Sequence, residues 1–484
     1  MWRPPQRIRY TAGQGEPPTA AQACASRLFS PIEAGRLKLR QRTWVPAMVP
    51  WRATGDGFVT KDVLSWYRRF AEGRPGALVV EATGIRDVPS GPLLRIGHER
   101  FLPGLTDLVE TVKQASGGET KLFIQIIDFL SIRKRPERQK FFAQFLKISD
   151  RHRNLLNMPE ASDSGMRAAL AALSESALDQ ALEPDELEAL RFGQRERVTD
   201  THHQHIRSLP ETMPPLFAGA ARRAEQAGFD GVELHFAHAY TMASFLSATN
   251  TRDDGFGGPR ENRVRLPLQV FNAVRAGAGP SFAVGCRLLA EECIPGGSGA
   301  DDAAFFCEAF ARAGMDFIST SRGGKFDDAK QPGVGQAVYP YTGPSGYECM
   351  PQFISDERGP FGRNAEPTAL IRARVREAGF DTPVICSGGI HNFAMAEKLL
   401  ADGVCDIAGA ARQSLADPDW FLKLSLGRGL EIRTCEYTNY CEALDQKHKT
   451  VTCQLWDRER LDEAGGGGLT ADGKRRLTAP DWQR

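Results

Sequence analysis

Residues 220–236 read AARRAEQAGFDGVELHF. The first eight form a helix-like run of small and charged residues. Gly228-Phe229-Asp230 follows, then the apolar run Val232–His235. A glycine just beyond a helix supplies the left-handed cap that other residues adopt at a cost. The same order recurs downstream. Gly314-Met315-Asp316 follows FARA, Gly379-Phe380-Asp381 closes another helix-like run, and Gly403 follows AEKLLAD. Helix, cap, short turn and buried strand form the grammar of βα units around a parallel sheet.

Working outward from Val232–His235, the other strand-length apolar runs are Trp44–Met48, Ala77–Ala82, Leu122–Ile127, Phe282–Leu288, Asp316–Thr320, Pro383–Ser387 and Asp406–Gly409. Their near-continuous apolar character suits strands buried on both faces. Eight such units predict an α/β chain built as a (β/α)₈ TIM barrel. A doubly wound sheet uses the same elements, but no G-x-G-x-x-G follows the first strand, which disfavours a dinucleotide-binding start.

The barrel is expected over residues 28–430, after a flexible N-terminal lead-in at 1–27. Residues 130–210 separate the third and fourth strands by more than one helix needs, and read as a helical insertion (MRAALAALSESALDQAL within it). Its basic stretch, Arg133, Lys134, Arg135, Arg138 and Lys140, reads as a solvated face before a docking patch. Residues 431–484 form a Cys-containing extension with a Gly-rich stretch, Gly465–Gly468.

Composition narrows the function classes. The 484 residues are 25% charged and 41% hydrophobic, ordinary for a globular protein. Sixty-one Lys and Arg against 60 Asp and Glu leave a net charge of +1. That points to no nucleic-acid or membrane partner. No apolar run approaches the ~18 residues of a membrane span. The basic, Pro-rich N-terminus lacks the apolar core of an export signal. Ten scattered cysteines, several within strand-like runs, fit reduced thiols and a cytoplasmic location.

In a barrel of this kind, reactive groups gather at the C-terminal strand ends and the loops after them. Those positions hold Pro46, Ala47 and Met48, then Glu81-Ala82, Gln125, His235 with His238 and Tyr240, Arg287, Gly388-Gly389, and Ala411-Arg412. Loops after the seventh and eighth strands often bind phosphate with a helix N-terminus. Gly388 and Gly389 would let backbone N–H groups approach, and Arg412 would add a cationic fork; a tight turn is the plainer reading of the glycines alone. His235, His238 and Tyr240 can converge on one ligand, and neutral imidazoles donate well to a developing oxyanion. The same pair also suits metal binding or a purely structural role. A third metal ligand is not evident, because Glu233 is expected to point away from this side.

The stretch GFDGVELHFAHAYTMASFLSATNTRDDGFGGPRENRVRL, residues 228–266, resembles the old yellow enzyme family of flavin-dependent NAD(P)H oxidoreductases and ene-reductases. It carries the family's order of His-x-x-His, Tyr, Phe-Leu-Ser, Asn-x-Arg-x-Asp, Gly-Gly and Glu-Asn-Arg-x-Arg. The resemblance spans about residues 28–430 and implies a barrel holding FMN, reduced by NADH or NADPH. It implies that Pro46, Ala47, Met48 and Ala82 line the flavin ring, and that Gln125 bonds its pyrimidine edge. Arg287 would lie near N1 and C2=O, and Gly388, Gly389, Ala411 and Arg412 would hold the phosphate. His235 and His238 would bind a substrate carbonyl oxygen, and Tyr240 would donate the proton.

The implied reaction is reduction of an electron-poor alkene, an α,β-unsaturated carbonyl compound, by ping-pong kinetics. The implied partners are that alkene and the nicotinamide, and a homo-oligomer is compatible with the sequence. Val49, Asp128, Ala239 and Ala411 depart from the family's usual residues. The tail resembles a cluster-bearing branch with Cys435, Cys441 and Cys453 kept and Thr438 in the place of a fourth ligand. No resident metal is expected there; a Cys₃His zinc site with His448 is the alternative. Competing functions are an FMN-dependent dienoyl-thioester reductase or oxidative demethylase, and a non-catalytic flavin- or phosphate-binding barrel.

Overall fold

The computed structural model describes residues 15–350, 359–463 and 468–483. Eight parallel strands close into a barrel in chain order: β1 Thr43–Val45, β2 Ala77–Gly84, β3 Lys121–Ile127, β4 Gly231–Phe236, β5 Ala283–Leu289, β6 Phe317–Ser321, β7 Val384–Ser387 and β8 Ile407–Gly409. Closure runs through Ala408↔Thr43 and Gly409↔Trp44. All eight expected strands are present. β1 stops short of the expected Met48 because Pro46 has no N–H to continue the ladder. The helix Leu209–Ala227 ends on Gly228 at φ 96°, the left-handed cap that the repeated signature predicts.

Two faces of each strand bury different things. Outward residues such as Val232, Leu234 and Ile124 pack under the helices. Inward residues at the N-terminal end form an apolar layer. Trp44, Phe123 and Phe317 stack within it at 5.1–5.3 Å between ring centroids. A hairpin that the sequence reading missed, Ile32–Ala34 with Leu37–Leu39, adds Ile32, Leu37 and Leu39 to this layer and plugs the barrel floor. Its three-residue strands are too short to leave a periodic signal.

Side chains two residues apart share a strand face. Stepping up from the apolar layer therefore turns Phe123 into Gln125 and Phe317 into Ser319 and Ser321. The barrel interior is apolar at its floor and polar at its C-terminal mouth, which fixes where chemistry can occur.

Between β3 and β4 the chain forms short helices, among them Asp163–Ala172, Glu175–Ala181 and Pro184–Arg191. They share a small core of Phe141, Phe142, Leu170, Leu178 and Leu190. Part of the lead-in is better ordered than expected. Ala20–Cys24 is a helix with a Thr19 capping box, and Glu397 accepts hydrogen bonds from the Arg27 and Leu28 N–H groups. Residues 1–14 and Gly465–Gly467 lie outside the described residues. The C-terminal segment folds back onto the barrel. Arg69 donates to Asp419 and to the carbonyls of Ala479 and Pro480, and Arg52 donates to those of Val451 and Leu477. Among the described residues no helix is long and apolar enough to cross a membrane.

Candidate active site

The polar centre of the barrel mouth is assembled from β3 to β6. Gln125 on β3 and Glu233 on β4 are register partners, and Gln125 Nε2 donates to Glu233 Oε1 at 2.6 Å. Glu233 thus faces the interior with His235, two residues on, and not the opposite side as expected. The reason is the two-residue period of a strand. Burial raises the Glu233 pKa, opposed by Arg287 and Gln125.

His235 ends the inward row of β4 opposite Arg287 on β5. Its Nε2 stands 3.3 Å from His238 Nδ1, and His238 Nε2 stands 3.0 Å from Ser321 Oγ. His238 takes φ 60°, and its ring centroid lies 5.2 Å from that of His235. Arg287 donates to Ser319 and Ser321 Oγ, both at 3.2 Å. Burial, then the Arg287 charge, draws His235 down to about 3. Burial and the charges of His235, Arg287 and Lys325 hold His238 well below its usual value. Both rings are therefore neutral at ordinary pH. Tyr240 contacts the His235 ring edge-on at 5.6 Å and Phe129 at 5.1 Å, and burial pushes its hydroxyl pKa up, so it stays protonated.

The remaining expected residues fall around this cup. Pro46 is buried at the end of β1, Ala47 caps the inner apolar layer, Met48 packs on the outer core, and Ala82 is buried within β2. Gly388 and Gly389 follow β7 with φ of 138° and 72°. A Cβ on Gly389 would meet the Pro360 carbonyl oxygen at 1.9 Å, and one on Gly388 would meet Asn364 Nδ2 at 2.9 Å. Ala411 caps the short helix Arg412–Ala416 after β8. The Arg412 guanidinium lies 4.7 Å over the Tyr437 ring and donates to Asn439.

Sequence comparison places this geometry among known proteins. Residues 154–343 match the NADH:flavin oxidoreductase / NADH oxidase family. The chain is 27% identical over 413 residues to an NADH oxidase of Thermoanaerobacter brockii, covering 84% of this chain and 52% of that protein. It is 27% identical over 432 residues to an N,N-dimethylglycine/sarcosine dehydrogenase of Chromohalobacter salexigens, covering 88% and 52%. The old yellow enzyme from Trypanosoma cruzi shares the fold, with a TM-score of 0.54 at 19% identity over 88% of this chain and 98% of that one. The chain is similar to the NADH:flavin oxidoreductase family. It spans about half the length of the curated relatives it matches.

FMN is the cofactor of this family, and the mouth meets its chemistry. Glu233 Oε2, His235 Nδ1, Ser387 Oγ and Asn364 Oδ1 are buried without a hydrogen-bond partner. Orphaned buried polar atoms are costly. Their distribution, with Arg287 at one side and the glycine turn and Arg412 at the other, suits a long ligand with polar edges and an anionic end.

The structure also brings to the mouth residues to which the sequence reading gives no role there. Trp51, held at φ 55°, stacks on His448 at 4.1 Å. Tyr341 lies edge-on to His238 at 5.3 Å and to Tyr339 at the same spacing. Asp445 accepts from Trp51 Nε1 at 2.6 Å and from the Tyr339 hydroxyl at 2.5 Å. Burial raises Asp445 to about 6, opposed by those two donors. The tail thus roofs the mouth. Cys435, Cys441 and Cys453 line one small cavity with Thr438 and Arg412, and burial raises all three thiol pKa values. His448 is stacked on Trp51 and does not line that cavity, so the Cys₃His arrangement is not formed.

Proposed function

We propose that this chain is an FMN-dependent oxidoreductase that takes hydride from NADH or NADPH and reduces an alkene conjugated to a carbonyl group. The observation that carries this reading is the contact between two buried, neutral imidazoles, His235 and His238, beside a protonated Tyr240. Such a set binds an oxygen that gains negative charge and offers a proton to a neighbouring carbon.

FMN would be held by Pro46, Ala47, Met48, Ala82, Gln125 and Arg287 at its ring and by Gly388, Gly389, Ala411 and Arg412 at its phosphate. When bound it supplies reversible hydride transfer. The chain's own residues do the rest. Arg287, braced by Ser319 and Ser321, presents a fixed cation in the polar layer. A cation there favours an anionic reduced cofactor. His235 and His238 donate to the carbonyl oxygen and withdraw electron density from the alkene. Tyr240 holds the proton destined for the α-carbon. Trp51, Tyr339 and Tyr341 exclude water from the mouth.

A second reading, oxidation of a methylated amine, draws support from Asp445 set among aromatic rings and from the name of the Chromohalobacter relative. One anaerobic experiment separates the two. With NADH or NADPH as donor, cyclohexenone should be converted to cyclohexanone. Reduction of the FMN-loaded protein by sarcosine or dimethylglycine, with no turnover of cyclohexenone, would replace the first reading by the second. A colourless protein that FMN cannot reconstitute would exclude both.

A further inference from the structure

A cavity of about 230 Å³ opens beside Tyr240, between the barrel mouth and the segment that leaves the insertion. Tyr240, Ser244 and Lys325 form its barrel side, and Arg195 and Thr199 face them. Of these only Tyr240 has a part in the chemistry above.

Arg195 is positioned by its backbone. It bridges Ile132 in antiparallel register, flanked by hydrogen bonds from Arg133 N–H to the Gln194 carbonyl and from Glu196 N–H to the Ser131 carbonyl. Its guanidinium lies 5.0 Å over the Phe326 ring, and Phe326 meets Tyr240 edge-on at 6.2 Å. One aromatic ring therefore separates Arg195 from Tyr240.

The charge of this guanidinium is poorly answered. Its side chain is 13% exposed, and its Nε is buried without a hydrogen-bond partner. The nearest carboxylate, Glu188, stands 3.6 Å away and is engaged more closely by Arg197. Asp327 and Asp200 act on Arg195 from farther off, and Asp200 accepts from the Arg197 N–H. Lys325, across the cavity, is paired with Glu292 at 2.6 Å. Arginine does not shed its proton, so a largely buried guanidinium whose one near carboxylate stands 3.6 Å away and is shared with Arg197 carries a standing cost. Its planar fork matches a carboxylate or phosphate bidentately.

We propose that this cavity takes the oxyanion of a ligand whose reacting end lies at Tyr240, with Arg195 as the anchor; the preferred molecule carries a carboxylate or phosphate a short chain away from its reacting centre. The proposal rests on the reading of Tyr240 as part of an alkene-reducing site. The oxyanion has two sources, an acidic substituent on the alkene or the phosphates of the nicotinamide.

The test uses the FMN-loaded protein and its Arg195→Gln and Arg195→Lys variants. The alkenes are 4-(3-oxocyclohex-1-enyl)butanoate and its methyl ester. The donors are NADH, NADPH and the phosphate-free 1-benzyl-1,4-dihydronicotinamide. If the alkene supplies the anion, Arg195→Gln should lower kcat/KM for the acid by ~10–100-fold, the range of a charge-assisted contact. It should leave the ester unchanged, and Arg195→Lys should recover part of the loss. If the nicotinamide supplies it, the loss should fall on NADH and NADPH and spare the benzyl donor. Equal kcat/KM ratios in all three proteins, for both alkenes and all donors, would overturn the proposal. Calorimetric titration with the saturated keto acid reads the anchor without turnover. Binding that Arg195→Gln abolishes upholds the site even if no alkene is reduced. No binding together with no kinetic loss on NADH or NADPH, or binding that the variant keeps, overturns it.

Discussion

His235 and His238 meet Nε2 to Nδ1 at 3.3 Å, and the far nitrogen of His238 meets Ser321 Oγ at 3.0 Å. Two imidazoles this close and this buried beside Arg287 resist charging. His235 is drawn down to about 3. The pH profile of alkene reduction should therefore show no imidazole inflection between pH 5 and 8. Stability carries the matching sign. The unfolded chain takes up a proton at His235 near pH 6.5, the folded chain only near 3. Stability from this group is complete above 6.5 and is lost progressively as pH falls from 6.5 towards 3. Denaturant midpoints at pH 7 and pH 5 should fall further in the native protein than in His235→Asn. An equal fall in both would show that the buried imidazole is not the source.

Tyr240→Phe removes one hydroxyl and keeps the ring contacts with Phe129 and His235. A positioned acid contributes ~10²–10⁴-fold. Cyclohexenone reduction should slow by that factor. Quinones take electrons without protonation of a carbon and should be reduced at the native rate. Rapid mixing with each acceptor reads the two rates. Equal slowing with both acceptors would make Tyr240 a positioning residue and not the acid.

The barrel was legible because its signals are local. Each glycine-capped helix and apolar strand announces itself within about fifteen residues, and His235, His238, Arg287 and the glycine pair fall at strand ends that this grammar locates. Glu233 faces inward with His235, as the two-residue strand period requires and the Gln125 pairing shows. The misses share the opposite property. The floor hairpin rests on three-residue strands. Trp51, Tyr339 and Asp445 come from a β1 loop, a β6 loop and the tail, so their meeting depends on contacts between segments nearly 400 residues apart. Periodicity and spacing report nothing at that range.

The glycine turn after β7 offers a test of the phosphate end. Gly389 has φ 72°, and a Cβ there would fall 1.9 Å from the Pro360 carbonyl oxygen and 2.7 Å from the Phe361 Cα. Both are backbone atoms and cannot swing aside. Gly389→Ala should lower the flavin-to-protein ratio of the purified protein and its Tm together. Gly388→Ala should be milder, since its Cβ meets the Asn364 side chain. Full flavin occupancy in Gly389→Ala would separate this turn from cofactor binding.

The roof should respond to pH in the direction opposite to His235. Asp445 links the tail to Trp51 and Tyr339, with its pKa raised from 3.8 to about 6. The folded state thus holds this proton more tightly than the unfolded state. Its contribution is fully present below pH 3.8, declines as pH rises, and is gone above about 6. Asp445→Asn is neutral at every pH. It keeps a carbonyl oxygen for one donor and leaves the other unmatched, so it loses stability without gaining the titration. The Tm deficit of the variant against the native protein should be larger at pH 5, where native Asp445 is mostly protonated, than at pH 8, where the native carboxylate carries its burial cost. Tryptic release of the tail should follow the same order, because this carboxyl fastens residue 445 to the β1 and β6 loops. An identical deficit at both pH values would mean that the carboxyl titrates no differently folded than unfolded, and that the roof is held by the packing of Trp51 on His448 alone.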